Sequence, residues 1–223
     1  HLCDTLYHAG MTGDLHAVLR ELRGQGRAPA ALVGFSLGGN VVLKLVGELG
    51  DDAGELARCV IGISTPLDLA ACARRISAPD NRIYEERFVR LMRERLTATG
   101  RYRKEDFAGL RTVEALDDRI TAPSFGFGDA ANYYRTQSAI GYLPAIRVPA
   151  LLIQSKDDTF IPFSIYEAAV VHSNPRIRLI VTEYGGHLGF LARAPHRFWV
   201  DYAIMNFICG TLVNNSALES SEV

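Results

Sequence analysis

The chain has 223 residues, 48% of them hydrophobic and 22% charged, which is enough apolar material for one sizeable core. A formal net charge of -1, from 24 basic and 25 acidic residues, provides no long-range field suited to nucleic acid. A small-molecule substrate is the expected partner. No apolar run is long enough to form a transmembrane helix, while peripheral membrane association and oligomeric state stay open.

Along the chain, Gly13 opens a helical pattern with Leu15, Val18, Leu19 and Leu22 on one face and Gly24 and Gly26 beyond its end. Residues Ala30 to Asn40 then run from a short apolar stretch, with Leu32 and Val33 read as a buried strand, through Gly34-Phe35-Ser36-Leu37-Gly38 into a helix over about 40–49. Cys59 to Ile63 is a second short strand, ended by Ser64-Thr65-Pro66. This alternation predicts an α/β fold with a mostly parallel sheet and crossover helices.

Residues 67–144 break the rhythm and read as a cap-like insertion in a single domain spanning 1–223. Within it, Asn81 to Leu96 is a charged helix whose Arg82, Arg87, Arg90, Arg93 and Arg95 alternate with Glu85, Glu86 and Glu94, the pattern of a solvated face. Phe125, Phe127, Tyr133 and Tyr134 are expected either to pack cap on core or to line an acyl pocket. Strands at Val148 to Gln154 and Ile177 to Thr182, with helices over about 163–172 and 195–209, resume the alternation, and the polar residues after Asn214 are expected to fray.

The Gly-x-Ser-x-Gly segment is the signature of a nucleophile elbow, in which a sharp strand-to-helix turn lifts Ser36 clear of the sheet. Its flanking glycines are expected to relieve a collision between strand and helix. The Leu37 N–H and the positive end of the following helix would then face an oxyanion. A serine of this kind needs a base and an orienting acid, which in such folds follow in the order serine, acid, histidine. The strand ending at Gln154 runs into Ser155-Lys156-Asp157-Asp158-Thr159-Phe160-Ile161-Pro162, and that ending near Thr182 runs into Glu183-Tyr184-Gly185-Gly186-His187-Leu188-Gly189. Ser36, Asp158 and His187 are therefore the candidate catalytic residues. Asp158 is preferred over Asp157 because the turn that follows it resembles the segment after the catalytic acid in many serine hydrolases.

The four cysteines, Cys3, Cys59, Cys72 and Cys209, form no CxxC pair and have no histidines at zinc spacing. No metal or cofactor is expected. The thiols read as reduced and structural, which fits a cytoplasmic compartment.

Together, Gly34-Phe35-Ser36-Leu37-Gly38-Gly39-Asn40, Lys156-Asp157-Asp158-Thr159-Phe160-Ile161-Pro162 and Gly185-Gly186-His187-Leu188-Gly189-Phe190 resemble the YheT-like, or AB hydrolase 4, branch of the α/β-hydrolase superfamily. Leu6-Tyr7-His8-Ala9-Gly10 and Tyr133-Tyr134 extend the resemblance over nearly the whole chain. It implies an α/β-hydrolase fold and a carboxylic ester hydrolase acting on lipid or short-to-medium acyl esters. It also implies strands before His1, with a loop there that supplies the second oxyanion donor; a signal or anchor, if one exists, is expected in that upstream segment. An acyltransferase with the same triad, or a non-catalytic binding module on the same fold, are the alternatives.

Overall fold

The computed structural model describes residues 6–193 and 195–219, so Cys3 lies outside the described residues. Helix α1 (Gly13–Gly24) leads into strand β1 (Ala30–Phe35), which turns at Ser36 into helix α2 (Leu37–Leu49) before strand β2 (Ala57–Ile63). Between β2 and the next strand the described chain is helical or irregular, its longer helices being α3 (Leu69–Ile76), α4 (Arg82–Ala98) and α5 (Ala130–Gln137). Strands β3 (Ala150–Ser155) and β4 (Ile177–Thr182) and the C-terminal helix α6 (Trp199–Glu219) complete the order. The strands form one sheet in the order β1-β2-β3-β4, with every neighbouring pair parallel.

The central strands are covered on both faces, which is why β2 and β3 read as continuous apolar runs. Successive side chains alternate between faces. Val60, Ala150 and Leu152 join the larger core with Leu43, Val46 and Tyr166, whereas Ile61, Ile63, Leu151 and Ile153 meet Val200 and Ile204 of α6 on the other face. Strand β1 lies at the edge of this sheet. Its Val33 and Phe35 are 36% and 42% exposed, so the reading of Val33 as buried is corrected: Ala30, Leu32 and Gly34 share the covered face.

Some element boundaries shift for identifiable reasons. Helix α2 starts at Leu37 because the turn at Ser36 feeds it directly. The helix expected over 163–172 is instead a 3₁₀ turn at Phe163–Ile165 and a short helix at Ala169–Ser173. Between them Tyr166 is fully buried and fixed, its hydroxyl accepting from Thr65 N–H at 2.9 Å and donating to Thr65 C=O at 2.8 Å. The last helix begins at Trp199, because Leu191 and Phe198 form an antiparallel bridge and Ala192 N–H donates to Arg197 C=O just before it. That helix then runs past Asn214, where fraying was expected, to Glu219.

The described cysteines Cys59, Cys72 and Cys209 are free. Burial, reinforced by the nearby Asp68 and Asp158 charges, pushes the Cys72 thiol far above its ordinary range, and burial also raises that of Cys59. Alkylation requires the thiolate and access to it. Iodoacetamide should therefore modify the exposed Cys209 in the folded protein and reach Cys59 and Cys72 only after denaturant is added; peptide mapping of the labelled sites checks this.

Candidate active site

Ser36 sits between β1 and α2 with φ 50° and ψ -124°, a conformation that costs a non-glycine residue about 1–3 kcal/mol. The surroundings hold it there. Ser36 N–H donates to Ile63 C=O at 2.8 Å, and its own carbonyl accepts from Gly39 N–H at 2.9 Å. A Cβ on Gly34 would lie 2.3 Å from Gly38 C=O, and one on Gly39 would lie 2.0 Å from the Thr65 hydroxyl. A Cβ on Gly38 would meet nothing within 4 Å. The steric demand thus falls on Gly34 and Gly39 and not on Gly38, the second glycine of the motif. Asn40, fully buried, fastens the same helix end: its side-chain amide donates to Ala9 C=O at 3.0 Å and Gln137 C=O at 2.9 Å and accepts from Ala139 N–H at 2.7 Å. Leu37 N–H, the first amide of α2, has no intrahelical acceptor.

The candidate acid lies just beyond β3. The Asp158 side chain has no solvent exposure and receives four hydrogen bonds: from Phe160 N–H at 2.9 Å and Ile161 N–H at 3.1 Å on Oδ1, and from Gln154 Nε2 at 3.2 Å and His187 Nδ1 at 2.9 Å on Oδ2. With Nδ1 donating to the carboxylate, Nε2 is left as an acceptor. It lies 2.8 Å from Ser36 Oγ. The three residues singled out from sequence are therefore brought into one hydrogen-bonded chain, and Asp158, not Asp157, faces the imidazole.

Asp157 has a different task that the sequence did not reveal. Its Oδ1 accepts from Gly186 N–H at 2.8 Å, while Ser155 Oγ donates to Gly186 C=O at 2.6 Å. Gly186 has φ +57°, and a Cβ on Gly185 would lie 2.8 Å from the Phe190 ring, so this loop needs both glycines to curl. Gly185 C=O closes the curl by accepting from Gly189 and Phe190 N–H at 3.0 and 3.1 Å.

The aromatics singled out in the insertion are occupied with packing. Tyr133 and Tyr134 are buried; the Tyr133 hydroxyl accepts from Ala9 N–H at 2.8 Å and the Tyr134 hydroxyl donates to Asp117 at 2.8 Å. Burial raises both tyrosines and Asp117 above their ordinary ranges. Phe125 and Phe127 pack edge-on against His8 at 4.5 and 5.3 Å. The ring that does touch the site is Phe160, edge-on to His187 at 5.1 Å.

The model of the Alpha/beta hydrolase family matches residues 4–199. The chain belongs to this family. Among its relatives, YheT of Escherichia coli (strain K12) is 34% identical over 194 residues, covering 83% of this chain and 56% of that protein. A monoacylglycerol lipase of Saccharomyces cerevisiae is 28% identical over 220 residues, covering 91% of this chain and 47% of that protein. The chain thus spans about half the length of these curated relatives. An alpha/beta fold family hydrolase from Bacillus anthracis superposes with a TM-score of 0.53 at 18% identity, covering 95% of this chain and 76% of that one, a likeness of fold. The parallel sheet with its elbow between β1 and α2 is this family's α/β-hydrolase architecture.

The elbow's steric pattern separates its glycines by experiment. Gly38→Ala should leave Tm unchanged or slightly raised, since alanine is the better helix former by about 1 kcal/mol. Gly34→Ala must displace backbone and should cost about 2–3 kcal/mol, or roughly 5–10 °C in Tm. Gly39→Ala should fall with Gly34→Ala. Equal losses at Gly34 and Gly38 would contradict the assignment.

Proposed function

We propose that this chain carries the active site of a serine carboxylic ester hydrolase. The carrying observation is the unbroken path from Ser36 Oγ to His187 Nε2 at 2.8 Å and from His187 Nδ1 to Asp158 Oδ2 at 2.9 Å, with the serine on a strained elbow. Ser36 Oγ attacks the acyl carbon as its proton passes to His187 Nε2. Asp158 holds the ring in the tautomer that can accept this proton and stabilises the imidazolium that results. Leu37 N–H, at the positive end of α2, donates to the developing oxyanion. His187 then protonates the departing alkoxide, leaving an acyl group on Ser36. A water deprotonated by His187 attacks that acyl carbon, and the acid leaves as Ser36 recovers its proton.

Short-to-medium acyl or lipid esters are the substrate class in this reading. Similarity to the yeast monoacylglycerol lipase supports it.

In the full chain, a fluorophosphonate probe should label Ser36, and Ser36→Ala should abolish both labelling and nitrophenyl-ester turnover. A binding module would take no label. Asp158→Asn should lower kcat by about 10⁴-fold through the wrong imidazole tautomer. Asp157→Asn should keep activity to within about tenfold, because its amide oxygen still accepts from Gly186. Kinetics on the two variants decide the acid; the reverse ranking would give that role to Asp157.

A further inference from the structure

Beside the triad, one buried polar side chain ties the insertion to the acid. Asn81, at the entry to α4, has no solvent exposure, and its carboxamide makes three hydrogen bonds. Nδ2 donates to Arg75 C=O at 2.9 Å, at the end of α3, and to Thr159 C=O at 2.7 Å; Oδ1 accepts from Thr159 Oγ1 at 2.9 Å. A carboxamide is costly to bury unless its donors and acceptor are matched, and here they are.

Thr159 stands between two of the residues that touch the imidazole. Asp158 precedes it and accepts from His187 Nδ1; Phe160 follows it, donates its N–H to Asp158 Oδ1 at 2.9 Å, and sets its ring against His187 at 5.1 Å. A second contact reinforces the first. Tyr84 and Phe88, from the opening turns of α4, pack edge-on against Phe160 at 4.9 and 5.5 Å. The start of α4 therefore grips the acid loop through a polar link at Thr159 and an aromatic link at Phe160.

We propose that Asn81 is a positioning residue for the Asp158–His187 pair, holding the Asp158–Ile161 loop where carboxylate and imidazole meet. The inference rests on the triad reading above. Asn81 touches none of the reacting atoms; it acts through Thr159. Strand β3 secures the loop at one end and the buried Ile161 at the other, yet a catalytic geometry tolerates displacements of only about 0.5 Å. The insertion adds an anchor between those ends, at Thr159 and Phe160, so it is more than a cover.

The test uses the full chain and four variants: Thr159→Val, which removes the hydroxyl at nearly constant shape, Thr159→Ser, which restores it, Asn81→Ala, and the double variant Asn81→Ala/Thr159→Val. Thr159→Val and Asn81→Ala should each lower kcat for a nitrophenyl ester by about 10- to 100-fold, the penalty of misplacing a catalytic group, with KM changed by less than about twofold. The low-field proton resonance of His187 Nδ1–H should shift or broaden. Thr159→Ser should recover most of the lost kcat, and the double variant should fall no further than the worse single one. If Asn81→Ala does not fold, Thr159→Val decides. A folded Thr159→Val with unchanged kcat and proton resonance, or one that raises KM alone, overturns the positioning role. So does a loss that disappears on cooling in step with regained structure. Absence of fluorophosphonate labelling at Ser36 in the unaltered protein would overturn the triad reading together with this one, whereas normal labelling confines the failure to Asn81.

Discussion

Helix α2 approaches the ends of β1 and β2 so closely that its first turn touches backbone and the Thr65 hydroxyl where side chains would ordinarily stand. Gly34 and Gly39 make that approach possible. Once helix and strands are this near, the chain between them has room for a single residue in a left-handed turn, and Ser36 takes it. Everything else in the site is arranged around the fixed point that results. Asn40 ties the helix start to the Ala9 carbonyl and to the returning end of the insertion, and Tyr166 holds Thr65 from behind. The strain at the serine is offset by a closely packed neighbourhood and by the hydrogen bonds of its own backbone.

The candidate acid and base are assembled differently, by a run of residues at the end of β3. Ser155, Asp157 and Asp158 each form a hydrogen bond to Gly186 or His187. Two of them shape the backbone of the loop and the third meets the imidazole. The Asp157-Asp158 pair is therefore not redundant: one carboxylate aims the loop, the other engages the ring it presents. Phe160 then leans on the ring from the side, itself supported by the insertion.

Much of this was legible in the sequence because the relevant signals are local. Gly34 to Gly38 in a strand-to-helix context marks the elbow, and the loops around Asp158 and His187 follow recognisable apolar runs. Local pattern also explains the misreadings. Val33 belongs to an apolar run, and nothing in such a run tells an edge strand from a central one. Gly38 looks like a steric necessity in the motif, but the clash belongs to Gly39, which only the position of Thr65 reveals. Phe160 and Asn81 escaped notice because their partners lie far along the chain: Thr159 is 78 residues from Asn81. Phe125, Phe127, Tyr133 and Tyr134 drew attention as a cluster, yet aromatic clustering alone does not say which cavity, if any, a ring faces.

The separation of Ser36 from His187 by 151 residues has a bearing on synthesis. At ribosomal rates of about 5–20 residues per second, roughly 8–30 s pass between the emergence of one and of the other. During that interval the serine has no base, and a serine hydroxyl without one is a poor nucleophile. Asn40, whose partners at Gln137 and Ala139 also arrive late, can fasten the helix end to them only once the insertion has returned. On the triad reading, the nascent chain is born unreactive, and the hydroxyl is armed only when the last strand of the sheet has been laid down.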